Sequence, residues 1–176
     1  LKFFKKLPLY GLLVLANKAV NFYKLKIPLS DLQRQIEKSF PIQKEKYFLL
    51  VTLADPVVKL DAEKNRVGII FTTYLHTAGH MTGSWRSLMD GHLHYDREAG
   101  AFYLSELKIY SNEKGEVSDT PVASVLYFVE KMLNMFFSDV PVYRLEDNNL
   151  KHTLTRLLLK TITVHEENLI ITFNLY

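Results

Sequence analysis

The stretch Thr120-Pro121-Val122-Ala123-Ser124-Val125-Leu126-Tyr127-Phe128-Val129-Glu130-Lys131-Met132-Leu133-Asn134-Met135-Phe136-Phe137 decides the expected fold. Thr120 is a good N-cap. Pro121 suits the first helical position, where its missing N–H leaves no bond unmade. Val122, Val125, Leu126, Phe128, Val129, Met132, Leu133, Met135, Phe136 and Phe137 cover most of the helical circumference. Glu130, Lys131 and Asn134 leave only a narrow polar strip. A helix that is apolar nearly all round is buried nearly all round. In a chain of 176 residues, one ordinary domain in length, the element able to bury it is a sheet wrapped around it.

The residues before it have strand periodicity. Tyr47 to Leu60 is rich in Val, Leu and aromatics, and its apolar positions change face around Asp55-Pro56, the mark of a bulge or an edge. Asp61-Ala62-Glu63-Lys64-Asn65 reads as a polar turn. Arg66 to His76 follows, with Val67, Ile69, Phe71 and Leu75 on one face. Trp85, Met89, Leu93 and Tyr95 alternate with Arg86, Asp90, His92 and His94. Asp96 to Gly100 is a hairpin turn, and Ala101 to Tyr110 pairs back with Tyr103, Leu107 and Ile109 on one face. Strands joined by short turns make an antiparallel meander.

The remaining elements are short. Ser30 caps a helix from Asp31 to about Phe40, and Gln33 completes a capping box. Its apolar face is Leu32, Ile36 and Phe40. Ser111 to Asp119 is a loop. Pro141 to Leu145 is a short strand, and Asn149 to Lys160 is a third helix with Leu150, Leu154, Leu157 and Leu158. Thr161 to Val164 and Leu169 to Phe173 close the chain as a hairpin.

Residues 1–24 form a separate N-terminal segment, and 25–176 form the single domain. Lys2, Lys5 and Lys6 precede the apolar run Leu7 to Ala16, and Val14 and Ala16 have the spacing a signal peptidase accepts. The run is too short to span a bilayer. The same residues also fit an amphipathic helix through Leu9, Leu12, Leu13, Ala16, Val20 and Tyr23. The expectation is an export signal or a short membrane anchor. Lys+Arg 22 against Asp+Glu 19 gives a charge of +3, too mild to argue for nucleic acid. Cysteine is absent, which excludes disulfides, thiol catalysis and cysteine-ligated metals.

Leu93-His94-Tyr95-Asp96-Arg97-Glu98-Ala99-Gly100-Ala101-Phe102-Tyr103-Leu104, Pro141-Val142-Tyr143-Arg144-Leu145-Glu146-Asp147 and Leu158 to Phe173 resemble the YceB-like lipoproteins of Gram-negative bacteria. Order and spacing match from about Ile27 onward. That family has no defined activity, and its fold is similar to the tubular lipid-binding (TULIP) superfamily. The resemblance implies a greasy channel between a curved sheet and a long helix, with a lipid or fatty acyl ligand inside it. The expected fold is therefore α+β: a strongly curved antiparallel β-meander wrapped around one long apolar helix, with short flanking helices. The chain departs from the family where Asn17 follows Leu13-Val14-Leu15-Ala16, since members carry a lipid-anchored cysteine there. The expected location is the periplasm, with or without an inner-membrane anchor in the N-terminal segment.

Chemistry-bearing patterns are sparse. His92-x-His94 sets two imidazoles on one strand face, with Asp90 beside them and His76 and His80 flanking the preceding loop, but no third ligand falls at a convincing spacing. A solvated strand face is the favoured reading, so no metal and no cofactor is expected. Gly83-Ser84-Trp85 lacks a nucleophile-elbow context. No catalytic residue is assigned, and the protein is expected not to be an enzyme. Phe71, Trp85, Val125, Phe128, Met132, Met135 and Phe136 are the candidate apolar lining, since Met and aromatic side chains offer large, adaptable apolar surface. The expected function is a non-enzymatic envelope binder of a lipid or apolar ligand held between helix and sheet. The alternative is an envelope protein–protein interaction module with a fully packed core.

Overall fold

The computed structural model describes residues 22–46, 48–111, 122–145 and 158–174. In chain order the elements are β1 (Phe22–Pro28), α1 (Leu29–Glu37), β2 (Ile42–Lys46), β3 (Leu49–Asp61), β4 (Arg66–Thr77), β5 (His80–Asp96), β6 (Ala101–Ser111), α2 (Val122–Asp139), β7 (Tyr143–Arg144), β8 (Leu158–Val164) and β9 (Asn168–Asn174). Strands dominate. The larger sheet has six strands in the order β2-β3-β4-β5-β6-β7, and the smaller has three in the order β1-β9-β8. All pairings are antiparallel.

The expected sheet wrapped around one long apolar helix is not what forms. Over 127–139, α2 buries Val129, Met132, Leu133 and Phe137, a single stripe at helical spacing. Its other side faces solvent through Tyr127, Glu130, Lys131, Asn134 and Met135, with Tyr127 68% and Met135 61% exposed. The helix lies against β6. The physical reason is competition for the sheet's inner face. The smaller sheet and α1 supply Leu25, Ile27, Leu169, Ile171, Phe173, Leu32 and Ile36 to the same core as Val51, Ile69, Phe71 and Met89. Two sheets share one core, and the edge-on contact of Tyr95 with Phe173, centroids 5.6 Å apart, joins them.

Several local readings change with it. The Tyr23 end of the amphipathic segment is strand β1, which pairs along its whole length with β9, and the remainder of that segment lies outside the described residues. The short helix begins at Leu29 without a side-chain cap, and Leu29 donates its N–H to the Glu167 carbonyl. Gln33 does not close a capping box. Its amide donates to the Pro56 carbonyl at 2.8 Å, and its oxygen accepts from Val58 N–H at 2.8 Å. This satisfies backbone groups freed by the bulge at Asp55-Pro56, where Asp55 has φ 53°. On β6, Phe102 and Leu104 face inward instead of Tyr103, and a second bulge returns Leu107 to the core. Residues 158–160 are strand, not the end of a third helix. The rest of that helix, the loop after Ser111 and residues 1–21 lie outside the described residues.

Candidate functional site

The best-built polar cluster sits where β4, β5 and β6 meet the smaller sheet. Arg66, only 8% exposed, donates from Nε to Asp90 Oδ1 at 2.6 Å. Its Nη2 donates to the carbonyls of Glu106 at 2.8 Å and Asp90 at 3.3 Å. Its Nη1 lies 3.0 Å from His92 Nε2. A guanidinium has donors only, so this ring nitrogen is the acceptor and the imidazole proton sits on Nδ1. Glu106 Oε2, 4.0 Å from the same nitrogen, is too far for a hydrogen bond.

This cluster exists because the strands are bulged there. Residues Glu106 and Leu107 together oppose Gly91, and Glu106 takes φ 52°. A Cβ on Gly91 would lie 2.8 Å from Leu107 Cδ2 and 2.9 Å from the Ser105 carbonyl. Glycine is therefore required for close backbone approach. The bulge aims the Glu106 carbonyl at Arg66 and leaves His92 half-exposed beside the smaller sheet.

The β3–β4 turn clamps the two sheets together. Asn65, with φ 52°, donates to the Ile162 carbonyl at 3.0 Å and accepts from Val164 N–H at 2.7 Å. The turn itself is fixed by Asp61, which accepts from Lys64 N–H at 2.9 Å and meets its ammonium at 3.2 Å. That backbone N–H and the ammonium beside it hold the Asp61 carboxyl below the usual carboxylate range. The hydrogen bond from Lys64 to Asp61 in turn raises the lysine.

Between these parts lies an open cleft of about 240 Å³, lined by Asn65, His92, Leu93, Leu159, Lys160, Thr161, Ile162 and Val164. Leu159 is 40% exposed. The register of β8 breaks between Leu159 and Thr161, and the Lys160 ammonium sits 3.8 Å over the Phe22 ring. An apolar wall thus carries a cation and an imidazole at its rim, an arrangement suited to an apolar chain with an anionic head. A second, broader cleft is lined by His94, Asp96, Tyr103, Leu104, Ser105, Ser138 and Asp139. Its Asp96 is committed to capping the β5–β6 turn through Ala99 N–H.

Five of the seven candidate lining residues, Phe71, Trp85, Phe128, Met132 and Phe136, fall in one hydrophobic core. Phe71 and Trp85 are buried on the larger sheet, and Met132 is buried on α2. Phe128 and Phe136 are partly buried against the same core, while Met135 faces solvent. Val125 lies in α2 with its side chain outside the described residues. His92 and His94 line different clefts, and Asp90, expected on a solvated face, is buried against Arg66. Among the described residues no three His, Asp or Glu side chains gather as a cation site. No described helix is long and apolar enough to cross a membrane. Sequence reasoning missed Asn65, Arg66 and Lys160. The signal available was Gly91 within a strand pattern, which marks a bulge or a close backbone approach.

The model of a family described as "Protein of unknown function (DUF1439)" matches residues 29–168. The chain belongs to that family. The match spans the two described helices, the described strands of the larger sheet and β8, and so takes in every residue of the cleft and of the Arg66 cluster. A search of the curated proteins returned no match.

Proposed function

We propose that this DUF1439 protein is a non-enzymatic binder of a short amphiphile, an apolar chain with an anionic head, held in the cleft between the two sheets. The carrying observation is the cleft's composition: Leu93, Leu159, Ile162 and Val164 as wall, Lys160 and His92 at the rim. Its volume of about 240 Å³ has room for roughly eight methylene-sized groups. Because the cleft is open to solvent, each methylene gains less than the roughly 0.8 kcal/mol of full burial, and the gross gain stays below about 6 kcal/mol. Much of that is offset by the freedom lost on binding, so the affinity falls in the micromolar-to-millimolar range. The nearby polar groups favour binding over turnover. Arg66, Asp90 and His92 are committed to one another, and the Asn65 side chain is committed to β8.

The resemblance to YceB-like lipoproteins, and through them to the TULIP superfamily, supports an envelope location and a lipidic ligand. The site differs from the one that resemblance implied, because α2 and the sheet leave their apolar residues in a common core. Native mass spectrometry and fluorescence competition with decanoate and decyltrimethylammonium test the reading. Decanoate is expected to bind the more tightly, Leu159→Asp to weaken both ligands, and Lys160→Glu to reverse the preference. Binding of neither, or binding indifferent to both substitutions, overturns it.

A further inference from the structure

Independently of the cleft, one end of the larger sheet carries an apolar tip. The β4–β5 connection is a two-residue turn, Ala78 with φ 49° and Gly79 with φ 82°, between the paired residues Thr77 and His80. Positive φ at both central positions is the tight hairpin turn that matches strand twist. Ala78 donates its N–H to the Phe48 carbonyl at 3.2 Å, which fixes the β2–β3 turn against it. The two turns therefore form one tip. Phe48 is 74% exposed on one turn, and Met81 is 62% exposed just beyond the other. Leu50, His76 and Met81 are successive partners across β3, β4 and β5, so half-buried Leu50 extends the apolar surface. Among the described residues, Lys44, Glu45, His76 and His80 are charged or titratable neighbours, and the sequence ends β2 with Lys46.

We propose that this tip docks on an anionic lipid bilayer, with Phe48 and Met81 entering the headgroup–acyl boundary beside the end of β2, whose sequence carries two lysines to one glutamate. Area argues for a bilayer over a protein or a second copy of the chain. Two large side chains offer on the order of 300 Å², whereas a stable protein partner takes roughly 800 Å² from each side. Shallow insertion of a few apolar side chains beside lysines needs no such area. A chain already near the membrane would hold the tip at high effective concentration.

The test uses the full chain and vesicles of phosphatidylcholine with or without phosphatidylglycerol. The only native tryptophan, Trp85, is 5% exposed and gives a constant background. The emission of the Phe48→Trp variant is expected to shift to the blue with anionic vesicles and to be quenched by bromolipids. Phe48→Ser with Met81→Ser is expected to lower vesicle partitioning about tenfold, with unchanged thermal melting. Three results overturn the proposal. They are vesicle binding without a shift at position 48, no binding to anionic vesicles, and an unaffected double variant, as when another segment or a bound protein is the contact. None of them bears on decanoate binding in the cleft, so the two readings fail separately.

Discussion

Asp90→Ala is the sharpest perturbation of the polar cluster. Arg66 and Asp90 side chains are 10% and 11% exposed and meet at 2.6 Å. Removing the carboxylate leaves a buried guanidinium whose remaining acceptors are two carbonyls and one imidazole nitrogen. Breaking one half of a buried ion pair costs about 3–5 kcal/mol, because the other charge stays desolvated. For a domain of this length that lowers the melting temperature on the order of 10 °C. Urea unfolding followed by circular dichroism reads the loss as a lower midpoint at an unchanged slope. Adding Arg66→Met to Asp90→Ala removes the stranded cation and is expected to recover roughly 1–2 kcal/mol. Recovery stays partial, because the Glu106 carbonyl then loses its donor. A loss below about 1 kcal/mol for Asp90→Ala, or strictly additive single losses, would show that the pair is not a coupled buried ion pair.

Two further substitutions probe the same framework. Gly91→Ala places a methyl against the Ser105 carbonyl and Leu107, and should cost about 1–3 kcal/mol in urea unfolding. Leu107→Ala added to it relieves only the side-chain half of that clash, so stability should not return. Tyr95 is buried, and its hydroxyl has no hydrogen-bond partner among the described residues. Tyr95→Phe should therefore stabilise the protein by about 1 kcal/mol. Burial raises the Tyr95 phenol above its ordinary value, with Arg97 acting against it and Asp96 with it. The folded state thus holds this proton more tightly than the unfolded state. The associated stability is full below about pH 10 and is lost as pH climbs from there through the raised value. In an alkaline titration, wild type should therefore lose stability above about pH 10 faster than the Tyr95→Phe variant, which has no phenol to ionise.

Strand positions were legible because they depend on local alternation and turn chemistry. Val67, Ile69, Phe71 and Leu75 occupy the buried face as their spacing implied, and the turns at 61–65 and 96–100 stand where polar residues and glycine mark them. The role of α2 was not legible. Periodicity reports how apolar a helix is, not which surface competes for the sheet beneath it. Here β1 and β9 bring Leu25, Ile27, Ile171 and Phe173 to the core, leaving Tyr127 and Met135 in solvent. On β6 the bulge opposite Gly91 shifts the alternation by one position, so Tyr103 stands off the inner face that Leu107 and Ile109 share. The cleft was hidden for a related reason. It joins Asn65, His92 and Lys160, residues far apart in sequence that meet only through the placement of β8 beside the larger sheet.

Methyl-detected nuclear magnetic resonance during a decanoate titration distinguishes the inter-sheet cleft from the α2–core contact as the ligand site. With decanoate in the cleft, the Leu93, Leu159, Ile162 and Val164 methyls shift saturably while Val129 and Leu133 at the α2–core contact stay unmoved. Shifts centred on Val129 and Leu133, or no saturable shift at the cleft methyls, would contradict the cleft as that site.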